Sequence, residues 1–167
     1  AITEVLSPFV EVSSIGEIQA YLRQRAREVP PDQWIMAPRC DRTRIRERRL
    51  PTRDELDAAC ATHPVLFAVS SEQVLNSRAL ELLGIDDAWQ PPRGVEVHRD
   101  PSGRVQMLRH AMALVQPKLP SRSLDRAAKL DSLERLFAVY NSVGITLATE
   151  RGTDKEGYET YRALAEA

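Results

Sequence analysis

Covalent reinforcement is nearly missing from this chain. Its 167 residues include two cysteines, Cys40 and Cys60, with no Cys-x-x-Cys pair and no histidine read at ligand spacing from either. A disulfide framework and a structural zinc site are therefore not expected, and both thiols read as reduced. Aromatic residues make up 5% of the sequence, too few for a platform that stacks nucleic-acid bases. The formal net charge is −1 and the isoelectric point about 6.4, so neither nucleic acid nor an anionic membrane attracts the chain as a whole. There is no run of eighteen apolar residues and no basic-then-apolar leader, which predicts a soluble cytoplasmic protein. A glycine-rich phosphate loop, a Gly-x-Ser-x-Gly elbow and a paired-histidine metal motif are missing too.

What is present suits one ordinary domain. Hydrophobic residues reach 43%, enough to bury roughly 70% of the surface that an unfolded chain of this size exposes. The run "FVEVSS" alternates like a strand. Ser13 or Ser14 then starts a helix in which Ile15, Ile18, Tyr21 or Leu22 and Ala26 recur at helical spacing, until Pro30-Pro31 stops it. "QWIM" offers a short strand, and in "LPTRDELDAACA" Thr52 and Glu55 form a capping box that opens a helix. The uninterrupted "VLFAVS" suits a strand covered on both faces or central to a small sheet. A short helix follows in "VLNSRALELLGI", with Asn76 or Ser77 as its cap and Gly84-Ile85 as a Schellman-type stop.

Further on, "GVEVHRDPSGRVQML" reads as a hairpin through Asp100–Gly103, with Val95, Val97, Val105 and Met107 alternating along it. From Ser123, the positions Leu124, Ala127, Leu130, Leu133, Phe137 and Tyr140 mark the longest helix, ending at Gly144. "ITLAT" then predicts a short strand, and Thr153 with Glu156 a second capping box before a last helix. Interleaved helices and short strands favour an α+β fold, a small mixed sheet with several helices. The last helix stops at Ala167 without a cap, as if the sequence were a fragment.

Seven arginines crowd residues 39 to 53: Arg39, Arg42, Arg44, Arg46, Arg48, Arg49 and Arg53. Guanidinium forks at that density grip carboxylate or phosphate, although a solvated loop is the plainer reading. His63, His98 and His110 do not fall at metal-ligand spacing. Alternation points His98 away from the valines, while His110 opens an apolar stretch and could face a pocket.

In order along the chain, "WIMAPRCDRTRIRERRLPTRDELDAA", "HPVLFAVSSEQVLNSRALELLGI", "VEVHRDPSGRV" and "YNSVGITLATERGTDKEGYETYRALAEA" resemble the amidohydrolase type-three family. These are metal-dependent hydrolases that include N-substituted formamide deformylases. The resemblance implies a TIM-like barrel with one or two divalent, zinc-like ions in the parent enzyme. It also implies that residues 1–142 are an α+β domain inserted into that barrel, and residues 143–167 a barrel strand and helix. The family's metal ligands would then lie before Ala1 and beyond Ala167, so no catalytic residue and no metal ligand is carried onto this chain. The piece alone would be inactive, roofing the pocket and selecting a small-molecule substrate with an amide- or formamide-type C–N bond.

Three pocket-side elements depart from the family pattern. "SSEQVLNS" lacks the usual Gly-His pair and carries Glu72-Gln73, Arg39-Cys40-Asp41 stands where Gly-Trp-Asp is usual, and Arg109-His110 stand near the family's Gly and Glu. Asp41, Gln73, Asn76 and His110 are the substrate-side candidates. Two rival readings compete: a non-catalytic binding or regulatory module whose arginine-rich loop holds an anionic partner, and a homodimer element built on the long helix.

Overall fold

The computed structural model describes residues 12–119, 125–150 and 152–166, which divide into two compact units, 12–119 and 125–166. The strand expected over "FVEVSS" lies in its main part outside the described residues.

In the first unit, helix α1 (Ile15–Glu28) starts where the Ser14 hydroxyl accepts the Glu17 N–H at 3.2 Å. It buries Ile15, Ile18 and Leu22, one stripe at helical spacing, and ends at Val29 before Pro30. Strand β1 (Ile35–Met36) and a 3-10 turn (Arg42–Arg44) lead to helix α2 (Arg53–Ala59). The capping box of α2 is complete: Thr52 Oγ1 accepts from Glu55 N at 3.2 Å, and the Glu55 carboxylate accepts from Thr52 N at 2.8 Å. Strands β2 (Val65–Val69) and β3 (Glu72–Leu75) follow, then helix α3 (Ser77–Leu82), the hairpin β4 (Glu96–Arg99) and β5 (Val105–Arg109), and a short helix α4 (Met112–Val115).

The sheet order is β1-β2-β3-β5-β4, parallel between β1 and β2 and antiparallel elsewhere, so the sheet is mixed and β2 is internal. Strand β3 went unrecognised in the sequence. It pairs with β2 through a two-residue turn, Ser70-Ser71, in which Ser70 takes φ 51°. Such turns are normally announced by Asn-Gly or Asp-Gly, and nothing in Ser-Ser does so.

Cross-strand partners share a face, which sorts the core into two layers. Leu66, Leu75 and Leu108 pack with Ala79, Leu80, Ile85, Val105 and Val115. Phe67 and its partner Val74, with Val65, occupy the other face, and Ile18, Leu22, Ile45 and Leu56 are buried as well. Full burial of each such side chain stabilises by about 1.5–3 kcal/mol.

The hairpin alternation needs one correction. A register shift between His98 and Arg99 pairs Arg99 with Val105 and Val97 with Leu108, so Val105 and Leu108 are the buried residues. Met107 pairs with His98 on the opposite face, because a bulge lets both ends of β5 aim inward. Gly84 takes φ 67°, and the Schellman bonds form, Ile85 N to Leu80 O at 2.9 Å and Gly84 N to Glu81 O at 3.0 Å.

In the second unit, helix α5 (Arg126–Ser142) starts at Asp125, which accepts the Ala128 N–H at 2.8 Å; the start expected at Ser123 lies outside the described residues. Helix α6 (Lys155–Ala165) is capped by Asp154, which accepts from Gly157 N at 2.8 Å, and the expected Thr153–Glu156 box does not form. A carboxylate one residue nearer outcompetes Thr153, and Glu156 is drawn instead to Lys129. Phe137 packs against Tyr140 and Tyr161 with ring centroids 6.3 and 6.5 Å apart. "ITLAT" is not a strand here. Extended geometry becomes a strand only with a ladder partner, and none lies beside residues 145–149 among the described residues. This unit spans both sides of the expected 142/143 boundary.

Candidate functional site

The "LNS" segment is a junction. Asn76 is fully buried; its Oδ1 accepts from Ala79 N at 3.0 Å and Val65 N at 2.9 Å, and its Nδ2 donates to Cys60 O at 2.7 Å and His63 O at 2.9 Å. Both amide protons and both acceptor positions are used, so this side chain is a cap and latch with no capacity left for a substrate. Ser77 is tied to α2: Asp57 accepts its N–H at 2.7 Å and its hydroxyl at 2.5 Å, and Arg53 Nε donates to Ser77 Oγ at 2.9 Å. Thus the segments "LPTRDELDAA" and "LNSRALELLGI" interlock through Arg53, Asp57 and Ser77, and Asn76 ties the second to Cys60, just after the first.

The other three candidates gather at one corner of the sheet. Gln73 is buried and its Oε1 accepts from Ala111 N at 2.9 Å. His110, exposed and at φ 60°, donates its backbone N–H to Ser71 O at 2.8 Å. Asp41 is exposed and caps the 3-10 turn, accepting Thr43 N at 2.9 Å and Thr43 Oγ1 at 2.8 Å. The Thr43 amide, above all, holds its carboxyl below the usual range. The residue after it, Arg42, pairs with Glu72 at the start of β3.

Beside that pair lies an open cleft of about 520 Å³, missed by the sequence reading. The arginine loop supplies Arg42, Arg48 and Arg49; the sheet supplies Glu72, Val74, Gln106 and Met107. Val74, Glu72 and Met107 share a sheet face through the register, a fact that depended on recognising β3. None of the four candidates lines this cleft.

Most of the crowded arginines are already engaged. Arg49 grips Glu55 with two bonds of 2.7 Å, which lowers the pKa of Glu55 and raises that of the guanidinium. Arg53 reaches Asp87 at 3.2 Å. Arg48 donates to Thr43 O at 3.1 Å and pairs with no carboxylate among the described residues.

One correction concerns the thiols. Cys60 and His63 are three residues apart and do meet, Sγ to Nδ1 at 3.6 Å, with Thr62 Oγ1 at 2.9 Å from the same nitrogen and Val29 O at 3.3 Å from Nε2. The Cys-x-x-His spacing was the available signal. A carbonyl only accepts, so Nε2 is a donor, to Val29 O; both residues are buried in the core. Cys40 is buried as well, and desolvation pushes its thiol pKa up. Among the described residues no three His, Cys, Asp or Glu side chains come together to hold a metal ion. A divalent ion of the kind the family implies does not fit the donors present among the described residues. No described helix is long and apolar enough to cross a membrane.

Residues 2–167 match the amidohydrolase family, and the chain belongs to it. Within that class it is 30% identical, over 159 residues, to the N-substituted formamide deformylase of Arthrobacter pascens, covering 90% of this chain and 29% of that protein. Two uncharacterized metal-dependent hydrolases, from Pyrococcus furiosus and Pyrococcus horikoshii, align over 93% of this chain and 30% and 29% of theirs, each at 17% identity and a TM-score of 0.45. The chain thus spans less than a third of the length of these relatives.

Proposed function

We propose that these residues are part of a metal-dependent amidohydrolase that cleaves a non-peptide C–N bond of the amide or formamide type. In this reading residues 1–142 are the inserted domain, residues 143–167 a strand and helix of the parent barrel, and the first unit roofs the active site and shapes access to it. The observation that carries the reading is the family match over residues 2–167, joined to the similarity with a formamide deformylase. A rigid junction at Arg53, Asp57, Asn76 and Ser77 is the sort of base from which loops can be aimed at a substrate.

Asp41 and His110 have exposed side chains and are the residues of this roof that would touch substrate. Gln73 and Asn76 act through the backbone they hold. The test is made on the longer parent protein, by following amine and formate release from N-substituted formamides before and after chelation of divalent metal. Turnover that chelation abolishes and added metal restores is expected, with Asp41→Ala and His110→Ala raising KM while leaving metal content unchanged. A metal-replete parent that cleaves neither formamides nor simple amides would overturn the reading.

A further inference from the structure

The cleft beside the arginine loop holds a counter-ion in an unexpected place. In the sheet register Glu72 lies directly opposite Arg109, yet its carboxylate is turned to Arg42 across the cleft. Arg109 is left with one acceptor, Glu96 at 3.2 Å, and its buried Nε has none. A buried donor without a partner is costly, and of the two carboxylates opposite Arg109 in the register, Glu96 is bonded to it while Glu72 is turned away.

The other charges of the cleft are fixed. Asp54 is held by Arg104 at 2.9 Å, Asp100 by the N–H groups and hydroxyl of its own turn, and Arg49 by Glu55. Arg48 is held by a carbonyl alone, at φ 55°, a left-handed conformation that a bulky side chain seldom adopts. Around these groups Leu50, Pro51, Val74 and Met107 give the cleft an apolar lining.

We propose that this cleft binds a small carboxylate with an apolar body, and that Glu72 is its displaceable stand-in. The ligand's carboxylate pairs with Arg42 and Arg48, its body lies on Val74 and Met107, and Glu72 turns to the unpaired Nε of Arg109. A planar two-oxygen anion matches the guanidinium fork, and the exchange keeps every charge paired. The proposal does not depend on the hydrolase reading, since it concerns this cleft with or without turnover in the parent.

The test titrates the 15N-labelled chain at low salt with phenylacetate, its neutral analogue phenylacetamide, and inorganic phosphate, reading backbone amides and arginine Nε–H resonances. Saturable shifts in residues 42–50 and at Arg109 Nε are expected with phenylacetate only. The decisive variant is Glu72→Gln, which removes the internal competitor and should tighten phenylacetate binding at least about fivefold. Arg42→Gln should abolish binding, and Arg109→Gln, which deprives Glu72 of its alternative partner, should weaken it with Arg42 intact. Equal binding of phenylacetamide, saturation by phosphate alone, weaker binding by a folded Glu72→Gln variant, or no saturable shift in either protein would overturn the proposal.

Discussion

In residues 12–119 both faces of the sheet are covered, Phe67 and Val65 on one side and Leu66 and Leu108 on the other. In residues 125–166 the buried hydrophobic side chain among the described residues is Leu133, while Val139, Val143, Ile145, Leu147 and Tyr158 are exposed, Leu147 to 84%. Both units cap their helices with the same chemistry, Ser14, Thr52 and Asn76 in one, Asp125 and Asp154 in the other. Apart from the short α4, which has no side-chain cap, local rules are followed in both units, and what differs is burial. Caps decide where a helix starts, but only packing against another layer makes a unit stable by itself. Five large hydrophobic side chains left exposed in so short a unit are in keeping with the proposal that residues 143–167 belong to a larger barrel.

The sharpest way to break this contrast is at Asn76. Its replacement by alanine removes the cap and leaves backbone groups of Cys60, His63 and Val65 unpaired in the core. A loss of at least about 4 kcal/mol is expected, from roughly 1 for the cap and at least about 1 for each of the three buried groups left unsatisfied, read from the midpoint of urea unfolding. A loss below about 1 kcal/mol would mean the junction is not what unifies residues 12–119.

Leu133→Ala in the second unit should cost about 2 kcal/mol, the low end for a buried leucine, because a thin core relaxes around the cavity. Hydrogen exchange should quicken in α5 and α6 and stay unchanged in β2 and β3. Uniform acceleration across both units would show that they unfold together, against the contrast drawn here. A smaller effect awaits Leu147→Ser, within about 0.5 kcal/mol in this chain because the side chain already faces solvent. In the parent protein the same change should be several-fold more damaging if residues 145–149 are a strand of its barrel. Equal tolerance in both would detach this segment from any further layer.

The same contrast explains what could be read from residues alone. Caps, the Schellman stop at Gly84 and the α+β class depend on neighbours within a few positions, and Thr52-Glu55 and Asn76 were legible for that reason. The strand expected over "ITLAT" does not form in this chain because its β-branched residues state a preference, whereas a strand needs a partner. Strand β3 was missed because Ser70 adopts a positive φ that its side chain does not advertise. The arginine crowd was visible, but its partners Glu55, Glu72 and Asp87 lie on other elements, so the shape of the cleft could emerge only with the fold. Asn76, read as a cap, proved also to latch the loop before β2.

The finest test of self-sufficiency in the first unit lies in the β4–β5 turn. Asp100 accepts from Ser102 Oγ at 2.6 Å, Ser102 N at 2.9 Å, Arg104 N at 3.0 Å and, at its other oxygen, Gln106 Nε2 at 2.9 Å. These bonds, the Ser102 hydroxyl foremost, bring its pKa from 3.8 down to about 2. A folded pKa below the unfolded one means that the carboxylate supports the hairpin fully above pH 3.8 and loses that support as the pH falls through about 2. The amide shifts of Ser102 and Arg104 should therefore titrate together near pH 2 and become flat in Asp100→Asn, whose side chain has no proton to gain. Titration near 3.8 instead would show that the turn does not hold its carboxylate. The first unit would then lack, at this hairpin, the internal satisfaction that separates it from the exposed stretch at residues 145–150.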